Sequence, residues 1–208
     1  MQRRLELVSF ARCSGAYLVE DDYDSEFRYD GLPSRSLYEL DGGNVVYIGT
    51  FSKIMFPSMR LGYMVLPYPL LSRCRELKRL CGHHSNSVYQ LALARFIEDG
   101  ELERHIRRMK KAYLGRRNFL LERLDADFPG NRSVGGACAG MHLTAGFGGI
   151  TFTPEIVSRA REEGLYLSPV ESHAIVKGKH ANQLILGYAH LDVPQLEEGL
   201  TKLKKIIC

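Results

Sequence analysis

The order of hydrophobic and polar residues predicts helices and buried strands in turn along the first part of the chain. Residues 3–13 place apolar side chains among charges at helical spacing, and Ser14-Gly15 predicts the helix end because glycine suits the position after a helix. Residues 16–19 follow as a short run of β-favouring residues that ends at the acidic group 20–22. Two further apolar runs occupy residues 45–48 and 61–66. We therefore expect three strands, the first of them preceded by a helix.

From residue 69 onward the pattern is mainly helical. Ser87 and Gln90 have the spacing of a capping box, which predicts a helix with Ser87 as its N-cap. In residues 102–124 apolar side chains recur every three, four or seven positions through a strongly charged stretch, which predicts one long helix with a single buried stripe. The remainder predicts a small α+β module, with strands at 141–145 and 184–188 and helices at 154–163 and 193–207.

Nearly continuous apolar strands are typical of a sheet that is buried on both faces. The predicted fold class is therefore α/β, with a mainly parallel sheet. We divide the chain into a first domain at 1–100 and a second at 101–208, in which the long helix leads into the small module. Because a sheet of this kind normally has more strands, and the first helix leads straight into a strand that resembles a late one, we expect the chain to be a fragment.

Composition narrows the functional classes only slightly. The 208 residues are 45% hydrophobic and 25% charged, and no apolar run approaches the roughly 18 residues of a membrane-spanning helix, so we expect a cytoplasmic protein without a membrane partner. The five cysteines are scattered without a close pair, which predicts reduced thiols. The net charge of +4 permits anionic ligands, but it is too small for a dedicated nucleic-acid-binding domain.

Candidate chemistry lies between Asp21 and Arg60, where the predicted strand ends deliver an acid, a phenol, two hydroxyls, a lysine and an arginine. Ligands bind at the carboxyl ends of strands in open α/β sheets. An aldehyde cofactor with a pyridinium ring and a phosphate needs an amine, a carboxylate for the ring nitrogen and donors for the phosphate. The residues in this part of the chain meet all three needs.

Three motifs carry a resemblance to a known family. The segment EDDYDSEFRY at 20–29, the segment GTFSK at 49–53 and the segment MRLGY at 59–63 closely resemble the class I and II aminotransferases. Within that family the chain is most similar to the aminotransferase-like domain of MocR-type regulators in the GntR superfamily, and the similarity continues to the end of the chain. It implies part of a PLP-dependent transferase (aminotransferase fold type I) large domain, followed by a small α+β carboxy-terminal domain.

The resemblance implies pyridoxal 5'-phosphate (PLP) as cofactor and gives each site residue a role. Lys53 would be the catalytic Schiff-base lysine, Asp21 would hydrogen-bond the pyridine nitrogen, and Tyr23 would donate to the phenolic oxygen of the ring. Thr50, Ser52 and Arg60 would hold the phosphate, for which a guanidinium offers two parallel charge-assisted bonds. Asp22 remains the alternative to Asp21, since alternation along a strand puts neighbouring side chains on opposite faces.

Each candidate also has a purely structural interpretation. A single lysine is ordinarily a solvated surface charge, and acids at a strand end often form turns. His83 and His84 could bind a metal, but adjacent histidines cannot easily share one ion, so we predict a loop and no metal site. We interpret the basic residues of 104–117 as the solvated or interdomain face of the long helix. The glycine-rich stretches 134–136 and 146–149 lack the context of a nucleotide-binding motif, and we predict loops for both.

Two functional classes remain, an effector domain of a transcriptional regulator and a working aminotransferase. Aminotransferases commonly place an arginine near the carboxyl end to bind the substrate carboxylate, and this chain has Ile185 at that position. The resemblance implies an amino acid or amine as effector or substrate, a homodimer, and DNA contact only through an upstream helix-turn-helix domain that is not in this chain. It also implies that a preceding half of the cofactor domain supplies a glycine-containing phosphate loop and an aromatic ring that stacks on the cofactor.

Overall fold

The computed structural model describes residues 1–31, 35–82, 86–130 and 132–207. The chain divides into two compact units. Unit 1 comprises Met1–Glu26 and Gly31–Ile106, and unit 2 comprises Phe27–Asp30 and Arg107–Cys208. A four-residue piece of unit 2 therefore comes from within the sequence of unit 1.

Unit 1 is built on a three-stranded sheet with the order β1-β2-β3. Its elements are α1 (Gln2–Ser14), β1 (Leu18–Asp22), α2 (Leu37–Leu40), β2 (Val45–Thr50), a 3-10 turn (Pro57–Met59), β3 (Gly62–Val65), α3 (Tyr68–Cys81), α4 (Ser87–Glu98) and the start of α5 (Glu101–Asp127).

The sheet of unit 1 differs in two ways from the prediction. Strand β1 runs through the acidic group to Asp22 instead of ending at residue 19, because its parallel ladder with β2 continues as far as the pair Asp22 and Gly49. Strand β3 is antiparallel to β2, so the described sheet is mixed and not mainly parallel. A parallel return needs a crossover of a dozen or more residues, usually a helix, and the link from Thr50 to Gly62 holds only a short 3-10 turn.

Alternation along the strands assigns every sheet residue of unit 1 to one of two faces. We define the Asp21 face by the mutually paired residues Val19, Asp21, Val46, Ile48, Thr50, Gly62 and Met64, and the Asp22 face by Leu18, Glu20, Asp22, Val45, Tyr47, Gly49, Tyr63 and Val65. Contacts from two helices reach the Asp22 face. The guanidinium of Arg4 in α1 donates to Glu20 (3.3 Å), and the backbone N–H of Tyr38 in α2 donates to the same carboxylate (3.2 Å).

Unit 2 is a four-stranded sheet with the order β4-β5-β7-β6, and all its pairings are antiparallel. Its core joins Leu143 and Leu184 of the sheet to Leu120 and Leu124 of α5 and to Leu200 of α8. The elements are the second part of α5, β4 (Arg132–Gly135), β5 (His142–Phe147), α6 (Pro154–Glu162), β6 (Ser168–Pro169), α7 (Val170–His173), β7 (Gln183–Gly187) and α8 (Val193–Ile207). The predicted α+β module is therefore present, with two short strands that the pattern did not indicate.

Helix ends illustrate what local sequence can and cannot specify. Helix α1 ends at Gly15, whose φ of 66° lies in the left-handed region, as predicted. The predicted N-cap of α4 was wrong by one residue. Asn86, not Ser87, caps the helix, because its side-chain oxygen accepts from the backbone N–H groups of Val88 (3.1 Å) and Tyr89 (3.3 Å). His83 and His84 lie outside the described residues.

The predicted loops at the glycine-rich stretches were wrong where they meet the sheet of unit 2. Gly135 ends β4 and Gly146 lies within β5. A Cβ atom at Gly146 would lie 2.4 Å from Oγ of Ser133, its cross-strand partner. These glycines therefore leave room for the side chains of their cross-strand partners, Ser133 opposite Gly146 and Thr144 opposite Gly135.

Candidate functional site

The end of β1 separates the two candidate carboxylates. Asp21 is exposed on the Asp21 face, where its ladder partner is Ile48. Asp22 is half-buried on the opposite face. Its carboxylate accepts from the hydroxyl of Tyr47 (2.7 Å) and from the hydroxyl of Ser25 (2.7 Å). Asp22 thus serves as a structural acceptor, while Asp21 presents its charge on the other face of the sheet.

Burial and neighbouring acids raise the pKa values of two tyrosines, Tyr47 and Tyr23. Burial, reinforced by the hydrogen bond to Asp22, raises the pKa of Tyr47 far above its ordinary value, so Tyr47 stays protonated and donates. The pKa of Tyr23 is raised mainly by the charge of Asp24, with smaller effects from burial and from Asp21. Tyr23 is therefore a neutral phenol within the electrostatic reach of Asp21 and can act as a hydrogen-bond donor.

The turn that follows β2 carries the candidate lysine. Thr50 organises the start of this turn, since its hydroxyl accepts from the backbone N–H of Ser52 (3.1 Å) and donates to the carbonyl of Leu61 (3.3 Å). Lys53 is exposed, and the next residue, Ile54, is buried. Nε2 of His105 in α5 lies 2.9 Å from the Ile54 carbonyl, and it must donate because a carbonyl only accepts. The backbone on both sides of the exposed amine is therefore fixed.

A cleft of about 680 Å³ brings together the three residues predicted to hold a phosphate. Thr50, Ser52 and Arg60 all line it, and so do Ile48 and Met64 of the Asp21 face. Gly49 and Tyr63 of the Asp22 face line it as well, so the cleft lies at the ends of β2 and β3 and adjoins both faces of the sheet. Asp21, Tyr23 and Lys53 are not among the described residues that line it.

Arg60 occupies an unusual backbone conformation beside this cleft. It follows the 3-10 turn Pro57–Met59 and has a φ of 51°, the one positive φ of a non-glycine residue in the described chain. Such conformations are uncommon and are often maintained at functional sites. Arg75 and Lys78 of α3 also line the cleft. Three cations and two hydroxyls suit an anionic ligand.

Several features of the site were not anticipated from the sequence. His105 and Ile54 lie 51 positions apart, and the helical pattern gives no sign of their contact. Gly49 is enclosed by the ring of Tyr63, since an added Cβ atom would lie 2.4 Å from Cζ of that ring. A glycine inside an otherwise apolar strand was the available signal, because it often marks a close approach of another group.

The basic stretch of α5 contains one clear error of prediction. Arg117 was assigned to a solvated or interdomain face, but it is 8% exposed. Within unit 2 it forms an ion pair with Asp30, donates to the carbonyl of Ala137 (2.9 Å) and lies over the ring of Tyr29 (5.2 Å to the centroid). Its burial is stabilised by partners from distant parts of the sequence.

The comparisons with known proteins identify the fold as an α/β fold of aminotransferase fold type I. The sequence profile described as aminotransferase class I and II matches residues 4–203, and the chain belongs to this family. It is 35% identical over 205 residues to the HTH-type transcriptional regulator YdeL of Bacillus subtilis, and covers 44% of that protein with 98% of its own length. It is 33% identical to the probable rhizopine catabolism regulatory protein MocR of Rhizobium meliloti, covering 41% of it, again with 98% of its own length.

Solved structures give the same result. A kynurenine aminotransferase of Pyrococcus horikoshii matches with a TM-score of 0.86 and 30% identity, over 99% of this chain and 51% of its own. A multiple substrate aminotransferase of Thermococcus profundus matches with a TM-score of 0.88 and 27% identity, over 99% of this chain and 51% of the aminotransferase chain. The predicted fold and family are therefore confirmed, and the chain spans about half the length of these relatives or less. None of the helices in the described residues is long and apolar enough to cross a bilayer.

Proposed function

We propose that this chain is a PLP-binding, aminotransferase-like effector domain of a MocR-type transcriptional regulator. The observation that carries the proposal is the convergence of Thr50, Ser52 and Arg60 on one cleft, at the foot of the turn that presents Lys53. A phosphorylated pyridine aldehyde fits this donor set, because the cleft offers cationic and hydroxyl donors for the phosphate and Asp21 lies on the adjoining sheet face.

Each residue has one task toward the cofactor. The bound cofactor would supply an aldehyde and a ring that withdraws electrons when its nitrogen is protonated. The Lys53 amine is the nucleophile, and Asp21 holds a proton on the ring nitrogen. Tyr23 donates from a phenol that stays protonated. Arg60 anchors the phosphate, together with the hydroxyl groups of Thr50 and Ser52.

Two observations favour a regulatory domain over an enzyme: the apolar residue Ile185, and the names of the relatives, which are regulators. Ile185 pairs with Thr144 and Ser168 in the sheet of unit 2 and has an apolar side chain at the position where a carboxylate-binding arginine is expected. Relatives at 33–35% identity are named as regulators. In this proposal the ligand is an amino acid or amine, the domain is a homodimer, and DNA is bound by a helix-turn-helix domain outside this chain. The alternative, an aminotransferase acting on an amino acid and a 2-oxo acid, is favoured by the likeness to the kynurenine aminotransferase.

Covalent trapping tests the proposed site. Protein mixed with pyridoxal phosphate and reduced with borohydride should carry one pyridoxyl group, located on Lys53 by peptide mass spectrometry. Lys53→Ala should abolish the adduct, while Lys78→Ala, which changes a lysine that does line the cleft, should retain the Lys53 adduct. Random modification of several lysines, or an unchanged yield in Lys53→Ala, would contradict the proposal.

Turnover separates the two functional classes. With a panel of amino acids and a 2-oxo acid, we expect at most one equivalent of product per site, because no arginine at position 185 clamps the carboxylate. Ile185→Arg is the matched variant, and we expect it to increase binding of amino acids but not of amines. Multiple turnovers by the unaltered protein would favour the enzyme.

A further inference from the structure

Unit 2 contains a small cavity that is separate from the cleft of unit 1. Its volume is about 160 Å³, and every residue that lines it belongs to unit 2. Leu186 of β7, Leu120 of α5 and Leu200 of α8 form its apolar wall. An apolar cavity of about 150 Å³ holds one benzene molecule. The cavity is therefore large enough for one six-membered ring.

The cavity lies where strands β6 and β7 separate. Their ladder contains two pairs and ends at Ser168 and Ile185. Continued by two residues, the same register would place Tyr166 opposite Gly187. No backbone hydrogen bond of the described residues joins these two, and both line the cavity. The cavity therefore occupies a gap beside the edge of β7.

The peptide groups of Gly187 point toward this gap. The N–H of the next residue, Tyr188, donates to the carbonyl of Met141 on the β5 side (3.1 Å). Peptide groups of successive strand residues point to opposite edges, so those of Gly187 point away from β5. Gly187 is half-buried, and peptide groups in such positions normally have a partner. Gly187 therefore offers one N–H donor and one C=O acceptor at the cavity wall.

The opening of the cavity is marked by the three exposed residues of its lining, Tyr166, His190 and Gln195. Gln195 is held in place, because its side-chain oxygen accepts from the N–H of Asp192 (2.9 Å) and its own N–H donates to the Asp192 carboxylate (2.9 Å). None of the described residues that line the cavity is Asp, Glu, Lys or Arg. A charged ligand would lose hydration here without gaining an ionic partner from the lining, so the cavity favours an uncharged one.

Gly199 keeps the space in the cavity open. It lies in the interior of α8, where glycine is unfavourable. An added Cβ atom would lie 3.8 Å from Cδ1 of Leu165, which also lines the cavity. That distance is an ordinary van der Waals contact, so a longer side chain at position 199 would extend into the cavity. Substitution of this glycine therefore offers a way to fill the space.

We propose that the cavity binds an uncharged molecule with one apolar six-membered ring and one primary amide group. The ring occupies the leucine-lined space. The amide carbonyl accepts from the N–H of Gly187, and the amide nitrogen donates to the Gly187 carbonyl, as Tyr166 would if the ladder continued. Amino acids and phosphorylated cofactors are charged, so this ligand differs from those proposed for the cleft. The inference does not depend on cofactor binding, because no residue of the cleft takes part in it.

Titration of three related ring compounds into the whole chain tests the chemistry of the site. Fluorine NMR should show saturable binding of 4-fluorobenzamide, with a dissociation constant below about 1 mM. The charged 4-fluorobenzoate should bind at least about tenfold more weakly. The apolar 4-fluorotoluene, which cannot hydrogen-bond to Gly187, should bind at least about fivefold more weakly. These comparisons use the unaltered chain and do not depend on the folding of any variant.

Two variants of α8 and one exchange measurement test the location. Gly199→Leu fills the cavity and should weaken binding of 4-fluorobenzamide at least about tenfold. Thr201→Leu adds the same side chain at an exposed position of the same helix, and its dissociation constant should stay within about twofold. Saturating 4-fluorobenzamide should slow hydrogen exchange of the Gly187 amide at least about threefold in the unaltered chain.

Four outcomes overturn the proposal. The first is the absence of saturable binding of 4-fluorobenzamide up to about 10 mM. The second is equal affinity for the benzoate, and the third is an equal loss of binding in Gly199→Leu and Thr201→Leu. The fourth is binding that leaves exchange at Gly187 unchanged, because the ligand is then held elsewhere.

Discussion

The hydroxyl of Tyr47 donates a 2.7 Å hydrogen bond to Asp22, and this bond distinguishes two adjacent acids that the sequence alone leaves equivalent. Asp22 is held on the Asp22 face by Tyr47 and Ser25, whereas Asp21 is exposed on the opposite face. A group that already stabilises a strand end is poorly placed to serve a ligand. The geometry therefore favours Asp21 as the ring-nitrogen partner in the proposed site.

Tyr47→Phe should separate stability from binding. It removes a hydrogen bond to a charged acceptor, so we expect the free energy of unfolding to fall by about 1–2 kcal/mol while the affinity for pyridoxal phosphate stays within about twofold. Asp21→Asn should give the reverse result. Its free energy of unfolding should stay within about 0.5 kcal/mol of that of the unaltered chain, while its affinity for pyridoxal phosphate should fall at least about tenfold. Urea titration and equilibrium dialysis measure the two quantities. Equal loss of affinity in both variants would contradict the assignment.

Gly49→Ala should destabilise unit 1 through a steric clash. The added methyl group would meet the ring of Tyr63 at 2.4 Å, and we expect a loss of about 1–3 kcal/mol by overpacking. In a Tyr63→Ala background the same substitution should cost less than about 1 kcal/mol, since the clash is gone. A double-mutant cycle followed by urea denaturation measures this coupling. Additive effects would show that the ring does not restrict position 49.

Arg117→Met should destabilise unit 2 by about 1–3 kcal/mol, because it removes an ion pair and leaves the carbonyl of Ala137 without this donor. We place the effect below that of a fully buried pair, since the Asp30 side chain is 56% exposed. Lys111→Met, at an exposed position of the same helix, is the control and should change stability by less than about 0.5 kcal/mol. Similar urea midpoints for both variants would contradict the structural role of Arg117.

Glu26→Gln should change the pH dependence of stability. Burial raises the pKa of Glu26 in the folded chain, so above the ordinary glutamate pKa the folded state binds more protons than the unfolded state. Stability contributed by this group therefore falls as pH rises through that window. The glutamine variant does not lose stability in this way. The difference between its free energy of unfolding and that of the unaltered chain should therefore shift in favour of the variant between about pH 4 and pH 7. A difference in urea midpoint that is constant with pH would refute the expectation.

His105→Ala should slow the trapping of pyridoxal phosphate on Lys53 by about tenfold, because the carbonyl of Ile54 loses its donor and the lysine turn becomes less ordered. His105→Gln retains a side-chain N–H and should recover part of the rate. The yield of the reduced Lys53 adduct against time measures the effect. A rate unchanged in His105→Ala would show that the turn is held by its own hydrogen bonds.

Local chemistry explains which parts of this molecule the sequence could predict. The lysine turn, the hydroxyls and Arg60 belong to one short segment, so their convergence on a cleft follows from a single turn after a strand. The Gly15 helix end was predictable for the same reason. The burial of Arg117 was not, because its partner Asp30 is 87 positions away. The direction of β3 depends on the length of its connection, which apolar periodicity does not report.

The segment Phe27–Asp30 has a practical consequence for anyone who wishes to prepare unit 2 alone. Phe27 is 0% exposed and its ring packs edge-on against Tyr113, with centroids 4.9 Å apart. A gene cut at residue 107 would encode a domain that lacks a piece of its own interior, and the vacated space would weaken it by about 3–5 kcal/mol. During synthesis on the ribosome these four residues emerge long before the rest of unit 2, which begins at Arg107. Unit 2 can therefore complete its packing only after residues 107–208 have been synthesised.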